Sequence, residues 1–164
     1  VAARYLLDRG LARRILIIDL DVHQGNGTAA IFACEPRVFT FSMHGERNYP
    51  LRKERSSLDV GLPDGMDDLA YLRLLENTLP RLFDEFQPDF AFYQSGGDVL
   101  ATDKLGRLAL SREGCRRRDL YVFSLCKKNG VPVAVSMGGG YSPRIADIVE
   151  AHANTFRSAQ WVYF

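Results

Sequence analysis

The sequence predicts an α/β fold: a mostly parallel sheet with helices on both faces. Three observations predict it. Helix-like and strand-like segments alternate along the 164 residues, the order that βαβ units produce. The aliphatic run Ile15-Leu16-Ile17-Ile18 reads as a strand covered on both faces, as in a parallel sheet. Three strand candidates run out into polar, glycine-containing segments, the kind of strand end at which open α/β sheets bind ligands.

The elements follow in order. Residues 1–10 read as a helix with apolar residues at helical spacing and Gly10 as its stop. Nothing caps that helix, so further sequence is expected before Val1. Residues 14–20 form the first strand, 24–33 a short helix, and 38–42 the second strand. The stretch 45–60, with Gly45, Pro50 and clustered charges, reads as irregular. Asp67 or Asp68 caps a helix through Phe86, with Leu69, Leu72, Leu75, Leu79, Leu82 and Phe83 on one side and a kink expected at Pro80. Residues 89–94 are the third strand. Ser111 opens a helix to about Lys128, which Gly130 ends, and Arg116-Arg117-Arg118 reads as its solvated face. Residues 131–136 are the fourth strand, with Pro132 confined to its start. Ser142 and Pro143 read as N-cap and first position of a last helix toward Trp161.

Composition narrows the function. Twenty-one basic and twenty acidic residues leave a formal charge of +1, so no global field points to nucleic acid or an anionic membrane. No apolar run approaches the roughly 20 residues of a membrane span. Cys34, Cys115 and Cys126 are too few for a disulfide framework and read as reduced thiols of a cytoplasmic protein, or a nuclear one in a eukaryote. With three histidines in all, any metal site must rest mainly on carboxylates.

The strand exits carry the chemistry. Strand alternation places Asp19, Asp21 and His23 on one side of the first exit. The third strand leaves through Gln94-Ser95-Gly96-Gly97-Asp98, the fourth through Ser136-Met137-Gly138-Gly139-Gly140-Tyr141. Asp21, His23 and Asp98 make an O, N, O donor set whose open fourth position suits a catalytic zinc. Tyr141 offers a hydroxyl. His44 and His152 read as structural, His152 as a surface or packing residue of the last helix.

These exits resemble the histone deacetylase family of the arginase-like fold. The resemblance rests on residues 19–27 (DLDVHQGNG), Phe41-Ser42-Met43-His44, residues 62–71 (LPDGMDDLAY), Gly97-Asp98 with Asp103-Lys104-Leu105-Gly106, and Gly138-Gly139-Gly140-Tyr141. They stand in family order across nearly the whole chain. Gln24 and Asn26 lean toward the class IV branch or its bacterial relatives. The resemblance implies zinc on Asp21, His23 and Asp98, and a transition-state tyrosine at Tyr141. It implies a structural potassium near Asp19, Asp21, His23, Ser42 and Met43, and a second one on carbonyls of Phe32, Glu35 and Val38. Tyr49, Gly139 and Gly140 fall where the family lines its acyl-lysine tunnel. The family's paired histidines, its general base and acid, lie upstream of the metal motif, and no adjacent His-His pair occurs here. The chain therefore reads as the carboxyl-terminal portion of one such domain, its partner the missing amino-terminal portion.

The expected chemistry is zinc-dependent hydrolysis of an acetyl-lysine amide, or of a related acetylated amine. Two rivals stay open. A two-manganese ureohydrolase needs a denser cluster, and Gly25 stands where its last Asp would be. A degenerate metal-binding or acyl-lysine-binding module without activity is the other.

Overall fold

The computed structural model describes residues 1–164. The elements are α1 (Ala2–Asp8), β1 (Ile15–Asp19), α2 (Asn26–Phe32), β2 (Val38–Gly45), β3 (Leu58–Leu62), α3 (Asp68–Phe86), β4 (Phe90–Gly96), α4 (Arg112–Lys128), β5 (Val133–Gly138) and α5 (Ile145–Tyr163). All five strands are parallel, in the order β3-β2-β1-β4-β5. From β1 the chain winds outward to β3. It then returns through α3 to β4 on the other side of β1. The winding direction therefore reverses between β1 and β4, where Asp19 pairs with Gln94. The crevice beyond such a reversal is where open parallel sheets bind ligands.

Helices cover both faces, but unequally. Leu16, Ile18, Leu20, Phe41, Met43, Ala91 and Tyr93 pack with α3, α4 and α5 in a core of 26 buried residues. On the opposite face α1 and α2 contribute to a cluster of 6: Ala3, Leu7, Ala12, Ile15, Phe32 and Val38. That smaller cluster leaves Ala134 and Ser136 of β5 exposed. β1 is the central strand, paired on both edges, and β5 has one free edge.

Local chemistry sets the helix bounds. Asp67 caps α3 by accepting from Ala70 N–H at 3.0 Å, and Ser111 caps α4 by accepting from Gly114 N–H at 2.9 Å. α3 continues through Pro80. Proline inside a helix costs about 3 kcal/mol. Burial of a leucine returns about 1.5–3 kcal/mol, and Leu72, Leu75, Leu79 and Leu82 are all buried.

Four expectations are corrected. The stretch 45–60, expected to be irregular, ends inside a strand, β3, which begins at Leu58. Leu69 points out of the α3 stripe and is exposed. α5 begins at Ile145, with Arg144 as an N-cap that gives no side-chain bond; Ser142 Oγ instead shares a hydrogen bond with Thr102 Oγ1 at 2.8 Å. In the arginine run, Arg117 is solvated but Arg118 is buried, because it falls on the stripe of α4 that also buries Cys115, Asp119 and Val122.

Candidate metal centre

Beyond β1 the chain makes two successive side-chain turns. Asp19 Oδ1 accepts from Asp21 N–H at 3.1 Å, and Asp21 Oδ1 accepts from His23 N–H at 2.9 Å. β4 delivers Asp98 from the neighbouring exit. Asp98 Oδ1 accepts from Val22 N–H at 3.0 Å, which ties the two exits together. Gly96 permits the approach: a Cβ there would lie 2.5 Å from the Asp21 Cα.

These turns bring Asp21, His23 and Asp98 together, with one donor atom of each within 4.8 Å of the others. His23 Nδ1 lies 3.0 Å from Asp21 Oδ1 and 3.1 Å from Asp98 Oδ2. Burial, reinforced by the Asp98 charge, pushes the Asp21 carboxyl up to about 6. Burial pushes Asp19 up to about 7 against the Asp21 amide that favours its anion. The hydrogen bond to Asp98, with help from Asp21, holds the His23 imidazolium up to about 9. His23 is the only basic side chain paired with Asp21 or Asp98. A divalent cation among these donors would offset the cost of gathering buried carboxylates. Two oxygens and one imidazole nitrogen are a donor set that zinc accepts.

Loops from two further elements close around Asp98. Gly139, at φ +66°, lets the loop after β5 lie against it; a Cβ there would sit 2.3 Å from Asp98 Oδ2. His152 Nε2 donates to the Gly139 carbonyl at 3.2 Å. The half-buried His152 thus supports the site from α5, where sequence alone gave it only a surface or packing place. Tyr141 N–H donates to Asp103 Oδ2 at 2.6 Å, and Asp103 Oδ1 accepts from Leu105 and Gly106 N–H. Asp103 therefore fixes the main chain that carries Tyr141, whose side chain remains exposed.

The other expected residues fall in three places. Ser42 sits opposite Asp19 on β2, its Oγ 2.9 Å from His44 Nδ1, with Met43 buried beside it. Phe32, Glu35 and Val38 meet in the α2–β2 turn, where the Phe32 and Glu35 carbonyls accept from Glu35 and Val38 N–H at 3.0 Å each. Tyr49 stands 71% exposed in the loop before β3. None of Tyr49, Gly139 and Gly140 lines the open cavity of about 410 Å³ beside the triad, which is walled by Ile17, Asp19, Asp21, His23, Gln94 and Ser136 among others.

Comparison with known proteins gives a consistent result. The family model described as the histone deacetylase domain matches residues 1–156. An uncharacterized protein of Picosynechococcus is 50% identical over 163 residues, covering 99% of this chain and 54% of that protein. Histone deacetylase RPD3 of Saccharomyces cerevisiae is 37% identical over 143 residues, covering 80% of this chain and 32% of that protein. In structure, an acetylpolyamine aminohydrolase from Burkholderia pseudomallei superposes with a TM-score of 0.80 at 26% identity, over 98% of this chain and 48% of that one. A histone deacetylase homologue from Aquifex aeolicus gives 0.80 at 26% identity, over 96% and 44%. The chain thus spans about half the length of its Picosynechococcus relative and about a third of the yeast enzyme. A match that runs through every strand exit described above, from the first helix to the last, means that this chain belongs to the histone deacetylase family.

Proposed function

We propose that this chain carries the metal-binding part of a zinc-dependent deacetylase that hydrolyses the acyl amide of acetyl-lysine or of another acetylated amine. One observation carries the reading: Asp21, His23 and Asp98 converge at the point where the sheet's winding reverses, in a chain of the histone deacetylase family. Asp21, His23 and Asp98 would hold the ion. When bound, zinc supplies Lewis acidity, polarising an acyl carbonyl and acidifying water.

The remaining work falls to side chains. Tyr141 donates its O–H to the oxyanion that forms as the amide carbonyl is attacked, and Asp103 keeps its main chain in place. By the family's pattern Gly139 and Gly140 would border a slender, neutral acyl chain, while the space beside their own Cα atoms is filled by Asp98 and Ile148. Neither spare histidine serves as the proton-transfer group. His44 is buried against Ser42, and His152 is engaged with Gly139. The general base and acid come instead from the portion of the domain that these residues lack. Potassium beside Asp19 fits the same reading, since burial disfavours that carboxylate's charge and no basic side chain pairs with it.

The test uses the full-length protein with an acetyl-lysine peptide and an N-acetylated polyamine as alternative substrates. Hydrolysis should fall on chelation, return with zinc, and be lost in Asp21→Ala. Hydrolysis at the wild-type rate in Asp21→Ala would contradict the proposal.

A further inference from the structure

Arg118 is 1% exposed and bonds through all three guanidinium nitrogens. Nε donates to Asp119 Oδ1 at 2.9 Å and Nη2 to Ser95 Oγ at 2.9 Å. Nη1 donates to two main-chain carbonyls, Gly96 O at 2.8 Å and Leu20 O at 3.2 Å. Asp119 in turn accepts from Tyr93 O–H and from Thr155 Oγ1.

The placement of those carbonyls is informative. The β1–β4 register ends at Asp19 opposite Gln94, and the last ladder bond runs from Leu20 N–H to Gln94 O at 3.1 Å. Past that point the strands lead to Asp21 and to Asp98. Leu20 immediately precedes Asp21, and Gly96 stands two residues before Asp98. One guanidinium nitrogen therefore takes over where the sheet ladder stops and binds both exits. A buried ion pair is a weak device for stability, since apolar replacements are often as stable. The planar fork of Arg can reach several acceptors at set angles, which the point charge of Lys does not reproduce.

We propose that Arg118 is a positioning residue for the metal site: it fixes the main chain before Asp21 and before Asp98 so that their carboxylates close on His23 Nδ1. This rests on the metal-binding reading above.

The test measures zinc affinity of the full-length protein by chelator competition, with the visible spectrum of the cobalt-substituted form as a report on ligand geometry. Three variants are compared. Arg118→Lys keeps the charge but loses the fork. Ser95→Ala removes one acceptor that orients it. Thr155→Val removes a bond to Asp119 and one shared with Ser95 Oγ at 3.1 Å, leaves the Ser95 acceptor of Arg118 in place, and touches neither carbonyl. Partners behind metal ligands typically contribute about 10–100-fold in affinity. Arg118→Lys should lose that much and shift the cobalt bands, and Ser95→Ala should lose less in the same direction. Thr155→Val should melt earlier with affinity unchanged. Wild-type affinity and spectrum in Arg118→Lys would overturn the proposal, as would an equal loss of affinity in Thr155→Val. If Arg118→Lys does not fold, Ser95→Ala decides: unchanged affinity overturns the proposal and weakened affinity supports it. A wild-type protein that binds no zinc would sink the metal reading itself and the positioning role with it. Zinc bound equally by wild type and Arg118→Lys would remove the positioning role alone.

Discussion

Replacing Asp98 by Asn separates the two tasks that this side chain performs. Its Oδ1 accepts from Val22 N–H at 3.0 Å, and its Oδ2 lies 3.1 Å from His23 Nδ1. Asparagine keeps an oxygen for Val22 and removes the charge. Without metal, that loss relieves the repulsion that adds to burial in raising the Asp21 carboxyl. Each pKa unit relieved is worth about 1.4 kcal/mol, set against the lost pairing with His23. Asp98→Asn should therefore melt within a few degrees of wild type when metal-free. Asp98→Ala also leaves the Val22 N–H unpartnered, at about 1–3 kcal/mol, and should melt clearly lower. Both should lose zinc by more than the about 10–100-fold typical of groups one step behind the ligands. The assay is zinc stoichiometry by elemental analysis after dialysis, beside thermal melts of the metal-free forms. Undiminished zinc in Asp98→Asn would refute the triad. Equal melts for the two variants would refute the role of the Val22 bond.

Further outcomes follow from the same geometry. At pH 7 His23, held up to about 9, is protonated in the metal-free protein, yet a ligating imidazole must be neutral. Zinc binding should therefore release about one proton or more, read by calorimetry in buffers of different ionisation enthalpy; release of none would contradict the assignment of His23. The Asp19 and Asp21 carboxyls are raised, to about 7 and about 6. Their contribution to metal-free stability is thus present below their ordinary values near 4 and declines as pH rises through 6 and 7. The contribution of His23 is full below its ordinary 6.5 and is lost as pH rises through about 9. Melts from pH 4 to 10 should show a decline that zinc flattens; rising metal-free stability between pH 5 and 7 would contradict it. In the full-length protein Tyr141→Phe should lower turnover about 10²–10³-fold while zinc stays bound, and loss of zinc would make Tyr141 structural. Residues 1–164 expressed alone should self-associate through the free β5 edge and the exposed Ile145 and Trp161; a monodisperse monomer that binds no hydrophobic dye in light-scattering and fluorescence assays would contradict this.

Much of the fold was legible because its strongest signals are local. The aliphatic run of β1 and the caps Asp67 and Ser111 need no tertiary context. β3 was hidden because Leu58-Asp59-Val60-Gly61-Leu62 is short, contains glycine and aspartate, and lies on the sheet's edge. The start of α5 was misplaced because the Ser142 hydroxyl bonds to Thr102 instead of capping the helix. The triad was legible because neighbouring strand exits carry it, although Asp21 and His23 lie past the end of β1, where side-chain turns and not strand alternation set their positions. Arg118 was not, since charge runs usually face water. The available signal was that Cys115, Asp119, Val122 and Cys126 share a buried stripe that takes in one of the three arginines. Nor could sequence place Asp103 beneath Tyr141, a contact between residues 38 positions apart.

The most direct measurement is anomalous scattering at the zinc edge from crystals of the full-length protein grown with zinc. A peak bounded by Asp21 and Asp98 carboxylate oxygens and His23 Nδ1 is the predicted result. Zinc held elsewhere, on cysteine thiols or on surface carboxylates with the triad left empty, would contradict it.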